Sequence, residues 1–482
     1  MEKITKYERL SASVLLSYGE SDRESIHQRF LEEWKQFDRK IVVLDDDPTG
    51  VQTVHDVSVY TDWSEESLRA GMKEEGKLFF VLTNSRSFSA EETTREHTAL
   101  ARRASQAASA CGKELLLVSR GDSTLRGHYP LELETLKSVL EESKDKTLDG
   151  QILCPFFLEG GRFTINSVHY VKEGEWLVPA GDTEFAKDKT FGYSASHLGE
   201  YAEEKSGGRY RTKDGIYITL PMLRSRSYDM ITELLLKASG FCPVIVDAVS
   251  ESDVEVFATA LLCSMRQGKE FLIRSAAAVP KVLGNVSSRP LLTKEELLGE
   301  NEDPSYGGIV LIGSHVKKTT MQLACLKETS VPAEFLEFKV NTCFIEGGLL
   351  AETRRMIEEA EKVMTQGKTA VVYTSRTLLA PEGMSKEEML ELSVEISNAL
   401  TGVIAGLHKK PRFIIAKGGI TSSDVGTKAL MVKKAVVLGQ AQPGIPVWRT
   451  GPESKFPGIS YIIFPGNVGG VDTLRKIVEI LA

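Results

Sequence analysis

Apolar residues along the chain gather into short runs separated by longer, mainly polar stretches. The runs at 41–44 (IVVL), 78–82 (LFFVL), 115–118 (LLLV), 151–154 (QILC) and 244–246 (VIV) have the length of buried strands. Several end in polar or glycine-containing turns, and stretches of helical spacing such as 64–75 and 90–110 lie between them. A second series follows the same rule, with runs at 308–312, 370–373, 412–416 and 461–464 and a closing helical pattern at 471–481. The polar stretch 291–306 (LLTKEELLGENEDPSY) separates the two series, and the polar residues 1–38 read as one or two surface helices. Strands alternating with helices predict mainly parallel sheets. The expected fold is therefore α/β in two domains, each a mainly parallel sheet flanked by helices. The expected bounds are a helical extension at 1–38, a first domain at 39–295 and a second at 300–482. Ligands of such sheets bind beyond the carboxyl ends of the strands, so the residues after each run are the candidates for chemistry.

The length of 482 residues agrees with two cores, since a single core stops growing near about 250–300 residues. Hydrophobic residues at 41% and charged residues at 26% belong to a folded globular chain. The net charge of −8 argues against a nucleic-acid partner, which calls for a basic surplus. Any site for an anion must then be built locally from Arg, Lys and backbone N–H groups. The six cysteines are scattered, without CxxC or zinc-ligand spacing, and read as reduced thiols. No secretion signal or run of ~20 apolar residues is present, so a cytoplasmic location and no membrane partner are expected.

The first run ends in Asp45-Asp46-Asp47-Pro48-Thr49-Gly50. Three carboxylates at one strand end need a cation, a proton or a donor to offset them, which suits a general base, a metal ligand or an acceptor for substrate hydroxyls. The second ends in Thr83-Asn84-Ser85-Arg86, where the planar guanidinium suits a carboxylate. The third ends in the densest polar loop of the chain, from Ser119 and Arg120 through Gly121, Asp122, Ser123, Thr124, Leu125, Arg126 and Gly127 to His128. Two arginines, an acid and two hydroxyls there can hold a polyhydroxylated acid, whereas His128 carries no signal of catalysis. In the second series, Gly313-Ser314-His315, Lys417-Gly418-Gly419-Ile420-Thr421-Ser422-Ser423 and Pro465-Gly466-Asn467-Val468-Gly469-Gly470 follow strands and precede helical patterns. Glycine turns at helix N-termini let backbone N–H groups approach phosphate oxygens. None of the three is a Walker A or GxGxxG sequence.

From about residue 40 to the end, these elements in this order resemble the four-carbon acid sugar kinase family. The residues that carry the resemblance are Asp46, Asp47, Thr49 and Gly50; Ser85 and Arg86; Asp122, Ser123, Thr124, Arg126 and Gly127; and Pro155, Gly161 and Arg162. In the second half they are Gly313 and Ser314, then Gly418, Gly419, Thr421 and Ser422, then Gly466, Asn467 and Gly469. Arg120, Gly121, Pro48 and Val468 depart from the family pattern, the first three around the expected sugar pocket. The resemblance implies a sugar-acid-binding first domain, an ATP-binding second domain and a reaction in the cleft between them. It implies a phosphotransferase with an alcohol group as acceptor, using ATP and Mg²⁺ on a small sugar acid such as a tetronate or oxo-tetronate. Asp46 or Asp47 would be catalytic, with Asp47, Arg86, Arg120, Asp122, Ser123, Thr124 and Arg126 on the substrate. Ser314, Gly418, Gly419, Ile420, Thr421 and Gly466 would line the ATP site; no metal ligands are assigned. The expected partners are the sugar acid and ATP, with a homodimer as a possible assembly. Two rivals fit parts of the sequence. Asp45-Asp46-Asp47-Pro48-Thr49 also fits the DxDxT motif of haloacid dehalogenase-type phosphatases, with Asp45 as nucleophile and Asp47 as acid/base. A non-catalytic sugar-acid-binding protein would bind without turnover.

Overall fold

The apolar runs become strands buried on both faces. Arg39–Asp45 has no exposed position, and Leu78–Leu82 and Gly150–Cys154 are buried throughout. Strands of this kind belong inside a parallel sheet covered by helices. The computed structural model describes residues 6–19, 22–144, 147–299, 305–376, 386–466 and 468–482. The chain divides into two units, one of Met1–Gly50 with Asp62–Ser287, the other of Val51–Thr61 with Ser288–Ala482.

In the first unit seven strands run parallel in the spatial order Ile216–Ile218, Cys242–Val246, Gly150–Cys154, Phe271–Ser275, Glu114–Arg120, Arg39–Asp45, Leu78–Leu82. Their register aligns Cys154, Ser275, Arg120, Asp45 and Leu82 in one row, so the loops that follow leave the same edge. Helix Ala90–Ala110 starts at a capping box in which Ser89 and Glu92 satisfy each other's backbone N–H groups. Helix Arg23–Gln36 packs against helix Glu251–Arg266 of this unit. A small antiparallel sheet in the order Leu10–Ser11, Trp176–Pro179, Val168–Glu173, Arg162–Ile165 belongs to the same unit. Its tight turn at Asn166-Ser167, with φ of 50° and 64°, has the left-handed pair that matches the twist of a hairpin.

In the second unit Ala333–Phe338, Thr369–Thr374, Ile309–Ile312, Ile414–Lys417 and Ser460–Phe464 are parallel neighbours. Ile445–Thr450, Lys434–Gln442 and Val57–Tyr60 extend the sheet antiparallel. Helix Thr473–Leu481 seats Leu474, Ile477, Val478 and Leu481 in the core at i, i+3, i+4, i+7 spacing. All six cysteines are free. No helix among the described residues is long and apolar enough to cross a membrane.

Candidate active site

The row of strand ends in the first unit assembles an ionic cluster. Thr83 N–H donates to the Asp45 carbonyl at 2.8 Å and Arg86 N–H to the Asp46 carbonyl at 3.4 Å, which brings Arg86 over the three acids. Arg86 donates from Nη2 and Nε to both oxygens of Asp46 at 2.7 and 3.2 Å, and from Nη1 to Asp47 at 3.1 Å. Arg120 donates to Asp45 at 3.2 Å and lies 3.6 Å from Asp46. The three acids differ in access. Asp45 and Asp46 side chains are 2% exposed, whereas Asp47 keeps 18%. A Cβ on Gly50 would fall 2.0 Å from either oxygen of Asp45, so the Gly50 backbone lies directly over that carboxyl. Burial pushes Asp45 up to about 7, with Arg120 acting against it and the neighbouring acids with it. Burial also acts against ionisation of Asp47, but Arg86 and the Thr49 hydroxyl and N–H outweigh it and hold Asp47 below the usual carboxylate range. Asp47 is thus the charged, fixed and accessible acid of the three.

The loop after Glu114–Arg120 closes on itself and is pinned from behind. Asp122 accepts from Arg126 Nε at 2.7 Å and from the Thr124 hydroxyl. Burial opposes its charge, but Arg86 and Arg126 draw its pKa well down. His169 donates from Nε2 to the Ser123 carbonyl at 2.8 Å, Tyr193 to the Thr124 carbonyl at 2.7 Å and Tyr201 to the Leu125 carbonyl at 2.8 Å. Burial lowers His169 to about 4, so it is a neutral strut at ordinary pH. Arg274 passes beneath the loop, where a Cβ on Gly121 would meet its Nη2 at 2.1 Å. Its Nη1 donates to Glu132 at 2.6 Å, and Glu132 also accepts from Ser85 and Ser119. His128 donates to the Phe88 carbonyl at 2.9 Å, a structural contact.

In the second unit the three glycine turns converge. A Cβ on Gly313 would lie 2.2 Å from Thr421 Oγ1, one on Gly418 3.2 Å from Ser314 Cβ, and one on Gly466 3.0 Å from Ser314 Oγ. Gly418 has φ of 130°, a conformation that favours glycine. Thr319 donates its hydroxyl to Ser314 Oγ and to the Gly466 carbonyl, both at 3.1 Å. Lys417 is fully buried and donates to the carbonyls of Pro465 at 2.6 Å and Gly466 at 3.2 Å. No carboxylate pairs with it among the described residues, and burial lowers its pKa to about 7. Arg376 donates to the Ser314 carbonyl at 2.7 Å and to Thr320 at 2.6 Å. Around Gly419 the structure is open, and the Ile420 side chain is 70% exposed. Asn467 lies outside the described residues.

The two units correspond to two known domain families. Residues 41–283 match the sugar-binding N-terminal domain and residues 309–474 the nucleotide-binding C-terminal domain. The chain belongs to the four-carbon acid sugar kinase family. Among solved structures, a Haemophilus influenzae protein of the DUF1537 family is similar, at 18% identity and a TM-score of 0.61, with 92% of this chain and 100% of that one covered. A Salmonella typhimurium LT2 protein described as a candidate tRNA synthase is similar at 16% identity and a TM-score of 0.62, with 90% and 98% covered. At these identities the likeness is one of fold. No curated protein matches the chain.

Within the family's sugar-binding domain, Asp46, Asp47, Arg86, Arg120, Asp122, Ser123, Thr124 and Arg126 lie on the loops of one sheet edge, and the acids and arginines among them form a network of ion pairs. Within its nucleotide-binding domain, Ser314, Gly418, Thr421 and Gly466 pack together, while Gly419 and Ile420 face open space. Sequence reasoning missed Arg274 and Glu132, which support the first cluster. It treated Lys417 and Arg162 only as parts of motifs. A signal was present for Lys417, a cation directly after an apolar strand.

Proposed function

We propose that this protein is a kinase that transfers the γ-phosphoryl group of ATP to a hydroxyl of a small, four-carbon sugar acid such as a tetronate or oxo-tetronate. The observation that carries the reading is Asp47: ionised, held on one oxygen by Thr49 and on the other by Arg86, and still open to a ligand, in a domain of the sugar-binding family. A carboxylate so fixed suits accepting and orienting a substrate hydroxyl, and taking its proton as the phosphoryl group arrives. Asp46, bound bidentately by Arg86, acts as the anchor that sets Arg86. Arg120, Asp122, Ser123, Thr124 and Arg126 line the substrate side.

In the second unit the glycine turns fit a nucleotide. The backbone is bare where a side chain would obstruct phosphates, and Lys417 supplies an amino group that no carboxylate pairs with among the described residues. ATP supplies the phosphoryl group. Among the described residues no group of three His, Cys, Asp or Glu side chains is arranged to hold a metal ion. Mg²⁺ would therefore be carried largely by the ATP phosphates, as is usual for this ion. Transfer requires the hydroxyl and the γ-phosphoryl to be brought into line.

The phosphatase reading finds no support in the site. Its nucleophile would be Asp45, which is covered by the Gly50 backbone, paired to Arg120 and drawn toward protonation by burial. The test is sugar-acid-dependent ADP formation by wild type and Asp47→Asn. The variant is expected to keep ATP affinity and to lose turnover by roughly 10²–10⁴-fold. Unchanged kcat in a folded Asp47→Asn enzyme would remove Asp47 from the mechanism, and phosphoryl trapped on Asp45 would favour the phosphatase.

A further inference from the structure

We propose that Arg162 binds the carboxylate of the sugar acid and so determines the preference for acids over neutral sugars. The inference rests on the sugar-acid reading of the first unit and assigns the part of that site that reads charge.

Four of the arginines around the site already have acid partners. Arg86 holds Asp46 and Asp47, Arg120 holds Asp45, Arg126 holds Asp122 and Arg274 holds Glu132. A guanidinium bound on two sides by carboxylates has little net charge left for a ligand. Arg162 differs. Among the described residues its side chain makes no hydrogen bond or ion pair, and its Nε is buried without a partner. Burial depresses its pKa; Asp122 is the acid that most opposes this, and that carboxylate is committed to Arg126 and Thr124. A guanidinium does not shed its proton in a protein, so the charge persists and calls for an anion.

The residue is held in place by its surroundings. Reciprocal backbone hydrogen bonds with Phe157, at 2.9 and 3.1 Å, fix its main chain at the start of strand Arg162–Ile165. The guanidinium lies 5.6 Å from the Phe185 ring centroid, and that of Arg126 lies 5.0 Å from the same centroid. One ring thus carries a neutralised arginine of the substrate loop beside an uncompensated one. A carboxylate bound there would accept two parallel N–H donors, which hydroxyl groups match neither in charge nor in geometry. A phosphate group shares this chemistry, and the experiment separates the two.

Binding of threonate, erythronate, the alcohols threitol and erythritol, and inorganic phosphate is measured by calorimetry on wild type, Arg162→Gln and Arg162→Lys, with circular dichroism and melting to confirm folding. The expected result is a loss of about 10- to 100-fold in affinity for the acid that wild type prefers, in Arg162→Gln, with alcohol binding unchanged. Arg162→Lys should recover part of the acid affinity, since the charge returns without the fork. The inference is overturned if Arg162→Gln binds acids as wild type does, if acid and alcohol lose equally, if phosphate binding alone is lost, or if wild type binds neither acid. Acid binding that depends on Arg162 in a protein that forms no ADP would sustain this inference and defeat the kinase reading.

Discussion

Replacing Arg86 with Met removes the hub of the acidic cluster while keeping much of its length. Asp46, 2% exposed, then loses both charge-assisted bonds, at 2.7 and 3.2 Å, and keeps Arg120 at 3.6 Å, which it shares with Asp45. Leaving one member of a buried ion pair without its partner costs about 3–5 kcal/mol. Arg86 is itself 25% exposed, so water enters the vacated space and the lower end applies, about 3 kcal/mol. For a unit of this size that lowers Tm by roughly 6–12 °C. Asp47 also loses its main stabilising charge, and its pKa rises. Because the folded pKa of Asp47 is depressed, its contribution to stability is present above the unfolded value of about 3.9 and is lost as pH falls through the folded one. The variant should lack this contribution, and its stability should fall off less steeply below about pH 4 than that of wild type. The assay is urea denaturation of wild type, Arg86→Met, Asp46→Asn and the double variant. Most of the penalty should vanish in the double variant, where no buried charge is stranded. A loss under about 1 kcal/mol in Arg86→Met, or a double variant that shows the sum of both penalties, would refute the electrostatic account of the cluster.

Three further outcomes follow from named contacts. Lys417 is lowered to about 7, so the native state binds fewer protons than the unfolded chain between pH 7 and about 10.4, and stability rises with pH across that window. Phosphates arriving beside it should restore its proton: calorimetry at pH 8 in buffers of different ionisation enthalpy should show proton uptake on ATP binding that Lys417→Met abolishes, and equal uptake by both proteins would contradict the placement of ATP. Gly121→Ala sets a Cβ 2.1 Å from Arg274 Nη2 and should break the Arg274–Glu132 pair, with a loss of roughly 3 kcal/mol in urea and a raised KM for the acid. Ile477→Ala, at a fully buried helix position, should lower stability by about 2–5 kcal/mol, read from the urea midpoint.

The parallel architecture was readable because it is written locally. The strand 78–82 and the helix 90–110 emerge with the limits that the apolar run and the helical spacing imply. The rule that ligands sit beyond strand ends points from sequence to Asp46, Asp47, Arg86 and the loop 120–126. What escaped is non-local. Val57–Tyr60 joins the second unit by pairing with Lys434–Gln442, and nothing near residue 57 announces a partner so far along the chain. Arg274 is the penultimate residue of strand Phe271–Ser275, and its acid lies 142 positions earlier. The antiparallel strands Lys434–Gln442 and Ile445–Thr450 carry Lys, Gly, Gln and Pro among their apolar residues, which hides them from a search for continuous apolar runs. Arginine and aspartate contents of a loop are visible in sequence; which arginine is already neutralised is not, because that depends on pairing in three dimensions. Arg86 and Arg162 look alike on paper and differ in what faces them.

The central claim is that sugar-acid binding in the first unit is coupled to ATP use through the second. It is tested most directly by ADP release, followed with a coupled assay on purified protein supplied with ATP, Mg²⁺ and a panel of threonate, erythronate and oxo-tetronates, each beside its neutral alcohol. The account predicts ADP formation that depends on one of the acids, appears with equimolar phosphorylated product and falls by orders of magnitude in Asp47→Asn. Release of inorganic phosphate from a phosphorylated sugar acid without ATP, or binding of the acids with no ADP formed, would contradict it.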